Sequence, residues 1–202
     1  MPLETYLAFV VICAVAVVIP GPTNTLILAN GIRHGVRPAL LNVAGTLVGL
    51  LAMLAVVALG LTSLIEAAGH WFEWIKLAGA AYLVWIGWKM IRASGGDESG
   101  EAPRRKSFFL QGMLVSLGNP KQLLFFGALL PQFVDPGAGH VQQIVILGVT
   151  ALGFALISDG TYALAAASIG RRLSAARARW IARIGGGFLI GGGIWLAMSR
   201  SR

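Results

Sequence analysis

The chain is 202 residues long, and its composition differs from that of a water-soluble protein. Hydrophobic residues make up 56% of it and charged residues only 12%, whereas a soluble globular domain carries about 25% charged residues. A soluble domain of this size could not bury so much apolar surface in one core. A single cysteine, Cys13, excludes a disulfide scaffold, and the apolar composition excludes a disordered chain. The sequence therefore predicts an all-α integral membrane protein.

Six apolar stretches are long enough to cross a bilayer, which requires about 17–25 residues for a helix. They lie at about 5–30, 39–65, 72–91, 108–132, 143–168 and 180–198. A polar linker at 94–106 separates the first three stretches from the last three. We predict one transmembrane domain over 1–202, with half-repeats of about 1–93 and 107–198.

Lysine and arginine residues are concentrated in alternate loops. The first, third and fifth loops carry them, whereas the second and fourth contain Glu66, Glu73 and Asp135. The positive-inside rule places the basic loops and the linker in the cytoplasm, with both termini outside. Arg200 and Arg202, after the last span, fit this orientation less well. Because the first span is interrupted, a re-entrant first segment with five crossings is the alternative.

The net charge of +8 is explained by these loops. Basic residues next to membrane spans bind anionic lipid headgroups. The stretch 171–183 contains five arginines and Trp180, which is typical of a helix end at the inner membrane surface. We therefore expect anionic lipids as partners of the cytoplasmic loops, and no nucleic acid.

Two of the six predicted helices are interrupted in their middle. The first contains Pro20-Gly21-Pro22-Thr23-Asn24-Thr25, and the fourth contains Gly118-Asn119-Pro120-Lys121-Gln122. Proline removes backbone donors and disfavours helix at the residue before it. The breaks lie in the first helix of each half, so the sequence predicts a 3+3 inverted repeat with broken helices 1 and 4. A simple proline kink is the other interpretation of each break.

Each break predicts a site for an anion. The helix after each proline starts afresh, and its free N–H groups and positive dipole end attract negative charge. Pro22 and Pro120 would occupy the first turn, where proline is tolerated. Thr23, Asn24 and Asn119 can cap or coordinate. Two such ends that face each other would form a site of carboxylate size.

Lys121 is the most informative single residue. A lysine near the middle of a span costs about 2.5–3.5 kcal/mol on insertion scales, so an anion must compensate for it. Asp159, halfway along the fifth span, is the candidate acid, and Tyr162 lies on the same helix face. The pair either only stabilises helix packing, or Asp159, disfavoured as an anion by burial, takes up and releases a proton during transport.

Other motifs carry less information. Gly45-xxx-Gly49 and Gly187-xxx-Gly191 permit close helix approach, within the bundle or between the chains of a homo-oligomer. His34, His70 and His140 lie in separate loops without the spacing of metal ligands. We expect no metal site and no enzymatic activity, because the sequence contains no paired catalytic residues and no nucleotide-binding loop.

These residues resemble the LysE/RhtB family of amino-acid exporters. The resemblance rests on Pro20-Gly21-Pro22-Thr23-Asn24, on Asn119-Pro120-Lys121, on the chain length and on the linker. It implies export of an amino acid or a derivative from the bacterial cytoplasm, driven by the proton motive force, without a cofactor. It also implies the bacterial inner membrane, in which the positive-inside rule places linker 94–106 in the cytoplasm and the C-terminus in the periplasm. Thr23 stands between the motif's last proline and its asparagine, unlike the usual Pro-Gly-Pro-Asn.

By position, the resemblance implicates the residues of both breaks in substrate binding and Asp159 in proton coupling. The substrate-binding residues are Pro20, Gly21, Pro22, Thr23, Asn24, Asn119, Pro120 and Lys121. The expected mechanism is binding of a small zwitterion between the halves, which rock to release it. Two alternatives remain: a metal or cation exporter of related fold, and a membrane scaffold without a transport cycle.

Overall fold

A computed structural model describes residues 1–18, 20–58, 69–93, 105–135, 139–170 and 175–198, and these residues contain helices but no strand. The eight α-helices among them are α1 (Leu3–Val18), α2 (Pro22–His34), α3 (Val36–Ala58), α4 (Gly69–Ala93), α5 (Arg105–Leu117), α6 (Pro120–Leu124), α7 (His140–Gly170) and α8 (Ala175–Met198). A π-helix, Phe125–Leu129, and a 3₁₀-helix, Leu130–Phe133, follow α6 without a gap.

The helices overlap the predicted apolar stretches, of which residues 19 and 59–65 lie outside the described part, and both predicted breaks are present. The first stretch divides into α1 and α2, bent by 46°, and the fourth divides at Gly118 and Asn119, bent by 50°. Among the described residues, α3, α7 and α8 are each long and apolar enough to cross a membrane, and the two bent pairs raise the total to five. Helix α4, which contains the third stretch, is not among these spans, and its residues 69–76 are described by the backbone alone, so six crossings remain a prediction. Residues 94–104 of the linker lie outside the described part.

The pairs of residues in contact give the relative direction of the helices. Tyr6 contacts Thr150 and Ser158 contacts the carbonyl of Val17, so α1 and α7 run parallel. Helices α3 and α5 are also parallel, since Asn42 bonds to Phe108 and Ser116 bonds to the carbonyl of Thr46. Helices α4 and α8 run antiparallel, with contacts of Gly87 to Gly186 and of Ala80 to Gly193.

Glycines hold the two halves of the sequence together. On α3, a Cβ atom at Gly45 would overlap the carbonyl oxygen of Phe109 on α5. Between α4 and α8, a Cβ at Gly87 would lie 2.5 Å from the carbonyl oxygen of Gly186. Backbones that approach so closely gain dispersion contacts, which drive helix association where no water is expelled. The expected role of Gly45-xxx-Gly49 within the bundle is thus confirmed.

The second glycine motif does not have the predicted role within the chain. A Cβ atom at Gly187 or Gly191 would meet no described atom within 4 Å. Their neighbours Gly186 and Gly193 lie on the face of α8 that packs against α4. Helix α8 does make a glycine-mediated contact, but it is rotated so that Gly186 and Gly193 form this contact in place of Gly187 and Gly191.

The outer surface of the bundle is apolar. On α1, the exposed large hydrophobic side chains follow one helical stripe. They are Leu3, Leu7, Val11, Val15 and Val18, and each is at least half exposed. The opposite face of α1 buries Phe9 and Cys13. A helix that is apolar on its exposed face as well as its buried face is typical of contact with lipid.

The contact of Gly45 gives the first prediction. Replacement Gly45→Ala forces the backbones of α3 and α5 apart, and overpacking of this kind costs about 1–3 kcal/mol. We expect a lower unfolding temperature for the purified protein in detergent. Gly187→Ala is the matched control, since its methyl group meets open space, and it should unfold at or above the wild-type temperature. Equal unfolding temperatures for the two variants would contradict the described packing.

Candidate functional site

The first break exposes the N-terminus of α2 at the centre of the bundle. Gly21 precedes α2 in an extended conformation, with φ −125° and ψ −177°, and Pro22 is the first helical residue. The Gly21 N–H donates to Oδ1 of Asn24 at 2.9 Å. The Thr25 hydroxyl donates to the Gly21 carbonyl at 3.0 Å. The Asn24 side chain thus provides a partner for the Gly21 N–H, and the Gly21 carbonyl accepts from both the Thr25 N–H and the Thr25 hydroxyl.

The second break has the same construction. Asn119 caps α6, and its Oδ1 accepts a hydrogen bond from the Lys121 N–H at 3.0 Å. Pro120 occupies the first helical position, as Pro22 does in α2. Asparagine is among the preferred N-cap residues, and its loss typically costs about 1 kcal/mol.

The two breaks lie against each other. The Asn119 side-chain amide donates to the Thr23 hydroxyl at 3.3 Å, and Thr23, Asn24 and Asn119 are all buried. Contacts of Lys121 with Ala16 and of Phe125 with Phe9 show that α6 runs opposite to α1, whereas α2 continues in the direction of α1. The N-terminal ends of α2 and α6 therefore meet, as the sequence predicted, and the two positive dipole ends converge.

Asp159 joins this arrangement from α7. Its Oδ1 accepts a hydrogen bond of 2.8 Å from the side-chain amide of Asn24, and the residue is only 4% exposed. Because Asn24 also accepts from the Gly21 N–H, one asparagine links the first break to the acid. Tyr162 instead packs against the apolar cluster of Ile27, Ala39, Val43 and Ala163.

The end of α1 is satisfied from across the site. Lys121 Nζ donates to the Ala16 carbonyl at 3.1 Å, and the Ser158 hydroxyl donates to the Val17 carbonyl at 3.4 Å. These are carbonyls of the last turn of α1, which have no partner within the helix. Lys121 and Asp159 also interact electrostatically. The predicted lysine and acid are therefore brought together, with hydrogen bonds to the broken helices on either side.

A cavity of about 60 Å³ opens between these groups. Polar lining comes from Thr23, Asn24, Lys121, Gln122, Ser158 and Asp159. Apolar lining comes from Cys13, Ala16, Val17, Leu50, Phe125, Phe126, Ala151, Phe154 and Ala155.

The predicted substrate-binding residues and the residues that line the cavity overlap in part. Thr23, Asn24 and Lys121 line the cavity, as does Asp159. Gly21 and Asn119 lie directly behind the lining, since a Cβ at Gly21 would be 3.5 Å from Asn119 Nδ2. Pro22 and Pro120 act on the backbone as first helical residues. Pro20 is exposed and precedes the cap.

Sequence reasoning missed the apolar half of the cavity. Ala155 and Ala151 precede Asp159 by four and eight residues, and Phe154 precedes Ser158 by four, which is the spacing of one helix face. Starting from Asp159 and stepping back along α7 would have found them. Cys13, the single cysteine of the chain, is buried and also lines the cavity.

A second polar cluster lies further along α2. The Asn30 side-chain amide donates to Asn42 Oδ1 at 2.7 Å and to Gln111 Oε1 at 3.3 Å, and Asn42 donates to the Phe108 carbonyl. This cluster joins α2, α3 and α5 between the breaks and the turn at Gly35. In the described part of the chain, no group of three or more His, Cys, Asp or Glu side chains is placed to bind a metal ion.

Comparison with known proteins gives a consistent result. The LysE type translocator family matches residues 14–200. The homoserine/homoserine lactone efflux protein of Salmonella typhimurium is 33% identical over 84% of each chain. The leucine efflux protein of Klebsiella pneumoniae is 29% identical over 76% of each, and the threonine efflux protein of Escherichia coli K12 is 27% identical over 98% of this chain and 100% of its own.

No solved structure matches the chain significantly. The family match covers nearly all of the sequence, including both breaks, α7 and α8. The motifs that suggested this family from the sequence are the same segments that meet at the cavity. The chain therefore belongs to the LysE type translocator family of membrane proteins.

Proposed function

We propose that this protein is a secondary transporter that exports an amino acid or an amino-acid derivative from the cytoplasm. The observation that carries the proposal is the meeting of two helix N-termini, one lysine and one acid around a single cavity. Relatives named for the efflux of homoserine, leucine and threonine support it. Homoserine, homoserine lactone, leucine and threonine all carry an amino group, and all of them except the lactone carry a carboxylate.

The carboxylate of the substrate binds where the breaks meet. The first N–H groups of a helix have no partner within the helix, and here two such ends converge next to Lys121. Asn24, Asn119 and Thr23 hold the two ends in place through their side chains. Lys121 adds a full positive charge and has the length to turn from the Ala16 carbonyl to the bound anion.

The ammonium group of the substrate binds at Asp159. The carbonyls of Ala16 and Val17 already accept hydrogen bonds from Lys121 and Ser158, so Asp159 is the stronger acceptor on this side of the cavity. Asn24 orients the carboxylate of Asp159 by donating to one of its oxygens. The other oxygen is then directed to the substrate.

Competition at Asp159 couples export to protons. A proton and the substrate ammonium each neutralise the same carboxylate, so binding of one disfavours the other. A proton that enters from outside displaces the substrate, and its release to the cytoplasm makes Asp159 ready for the next substrate. An ionisable residue placed inside the membrane costs free energy, which a proton-relay role explains.

The helix directions support a six-span inverted repeat. If α1 and α2 cross together, then α3 and α4 reverse direction in turn, and an odd number of crossings inverts the second half. That arrangement requires α1 to be parallel to α7, α3 to be parallel to α5, and α4 to be antiparallel to α8. These are the directions of the contacts between the helices.

The helices that move during transport then come from both halves of the sequence. Rocking of one half as a rigid body would separate the glycine contacts between α3 and α5 and between α4 and α8. Such closely packed pairs resist separation. We infer that α1, α2 and α7 move relative to these pairs, because the cavity lies where α1 and α7 face the second break.

The protein lies in the bacterial inner membrane with its basic loops in the cytoplasm. Arg37 at the start of α3, and Arg177, Arg179 and Arg183 near the start of α8, are exposed. Both regions lie at the same end of the bundle if all spans cross. Anionic lipid headgroups at the inner surface neutralise them.

Removal of either charge in the cavity should abolish coupled transport. Purified protein in proteoliposomes is tested for counterflow of labelled homoserine, threonine and leucine, with and without a pH gradient. Lys121→Met and Asp159→Asn should each lower gradient-stimulated flux by about tenfold or more, because a hydrogen bond to a charged group contributes about 1.5–3 kcal/mol.

The matched controls are Lys89→Met and Asp135→Asn. These substitutions make the same chemical changes at residues that do not line the cavity, and they should leave flux unchanged. Lys89, for example, lies over the ring of Trp85. Flux that survives both cavity substitutions would overturn the site. A folded wild-type protein that moves no amino acid, and keeps its stability when Lys121 and Asp159 are both replaced by apolar residues, would favour the scaffold.

The orientation is tested by labelling single cysteines in intact cells with an impermeant thiol reagent. In a Cys13→Ala background, six crossings predict that Glu4→Cys and Asp135→Cys react from outside. Asp97→Cys, in the linker, should react only after the cells are permeabilised. Glu4→Cys that reacts only after permeabilisation would instead establish five crossings with a re-entrant first segment.

A further inference from the structure

The cavity at the two breaks is charged at one end and apolar at the other. On α7, Ser158 and Asp159 line the charged end, and Ala155, Phe154 and Ala151 continue the lining toward the start of the helix. At a rise of about 1.5 Å per residue, Ala151 lies about 12 Å from Asp159 along the axis. An amino acid with its charged groups at the breaks therefore points its side chain along α7.

We propose that the apolar end receives the side chain of the substrate, and that Phe125, Phe126 and Phe154 determine which side chains are accepted. The substrate class is amino acids with an uncharged, apolar side chain. This inference rests on the proposed function, because it takes the charged end to hold the substrate's carboxylate and ammonium.

The charges in the cavity are already matched by the groups that every amino acid carries. Lys121 pairs with the carboxylate and Asp159 with the ammonium. Among the described residues that line the apolar end, none is acidic or basic: Cys13, Leu50, Phe125, Phe126, Ala151, Phe154 and Ala155. A second ammonium, as on a lysine side chain, would be desolvated there without a partner, which is strongly unfavourable.

The rings also limit the length of the side chain. Phe125 and Phe126 begin the π-helix, and their ring centroids are 5.5 Å apart. Behind them, the ring of Phe9 lies 5.7 Å from that of Phe125 and 5.3 Å from that of Phe133. This aromatic cluster closes the apolar end, so a longer side chain requires a ring to move. A π-helix within an α-helical segment often marks a functional site.

Norleucine and lysine provide a direct test on the wild-type protein. Their side chains share the same carbon skeleton and differ by the terminal ammonium group. Each is added as an unlabelled competitor to counterflow of labelled leucine, and the labelled panel includes lysine. We expect norleucine to compete at a concentration at least about tenfold lower than lysine.

The outcomes separate the two proposals. Lysine that competes or moves as well as norleucine would overturn the assignment of the apolar end and leave amino-acid export intact. If no labelled amino acid moves, the proposed function fails and the specificity inference fails with it. Preference for norleucine over lysine supports both the proposed export function and the assignment of the apolar end.

Substitution of the rings tests which residues determine the size of the side chain. Phe154→Ala and Phe126→Ala widen the apolar end, so phenylalanine should improve as a competitor relative to norleucine by about tenfold. Phe188→Ala, on the exposed face of α8, is the matched control and should not change the ratio. If Phe154→Ala and Phe126→Ala both fold and the ratio of phenylalanine to norleucine competition does not change, their role in limiting side-chain size is overturned. If a variant fails to fold, the comparison of norleucine with lysine on the wild-type protein still decides the substrate class.

Discussion

The structure depends on how peptide groups are satisfied where two helices are interrupted inside an apolar bundle. In the hydrocarbon region of a membrane, each unsatisfied N–H or C=O costs several kcal/mol, so irregular backbone is tolerated only where protein or water in a cavity provides partners. Here the Asn24 side chain accepts from the Gly21 N–H before α2, Asn119 caps α6, and Lys121 and Ser158 bond to the carbonyls at the end of α1. Of these side chains, Asn24, Lys121 and Ser158 also belong to the polar lining of the cavity, and Asn119 lies directly behind it.

This coupling between backbone and site explains why buried polar residues surround the two breaks. Asp159 bonds to Asn24, which accepts from the Gly21 N–H at the start of α2, and Asn119 bonds to Thr23 while it caps α6. A change at any of these residues affects the helix ends and the cavity together. Around them, glycine contacts tie helices of the first half to helices of the second, so the site lies within an interlocked bundle rather than between two separable bodies.

The sequence predicted much of this arrangement because the physical signals are local. Proline and glycine within apolar runs fixed the positions of both breaks, and Pro22 and Pro120 are first helical residues as expected. The cost of charge in a membrane identified Lys121 and Asp159, which line the same cavity. Membership of the LysE family was also correctly identified from the two motifs, and is confirmed by the match over residues 14–200.

Other features depend on tertiary contacts that local patterns do not encode. Apolar residues are abundant on every helix, so hydropathy did not distinguish Phe154 and Phe126 of the cavity from Phe188 on the exposed surface. The glycines of α8 show the same limit, since several positions have suitable spacing and only the rotation of the helix selects Gly186 and Gly193. The hydrogen bond between Asn30 and Asn42 joins residues on two helices, and neither sequence neighbourhood predicts it.

The most direct measurement is an experimental structure of the protein with a bound amino acid, obtained at a concentration that saturates transport. The account predicts the carboxylate within hydrogen-bonding distance of the first N–H groups of α2 and α6 and of Lys121. It places the ammonium at Asp159 and the side chain between Phe126 and Phe154. A ligand bound elsewhere, or one in the cavity with its carboxylate directed away from both helix N-termini, would contradict the account.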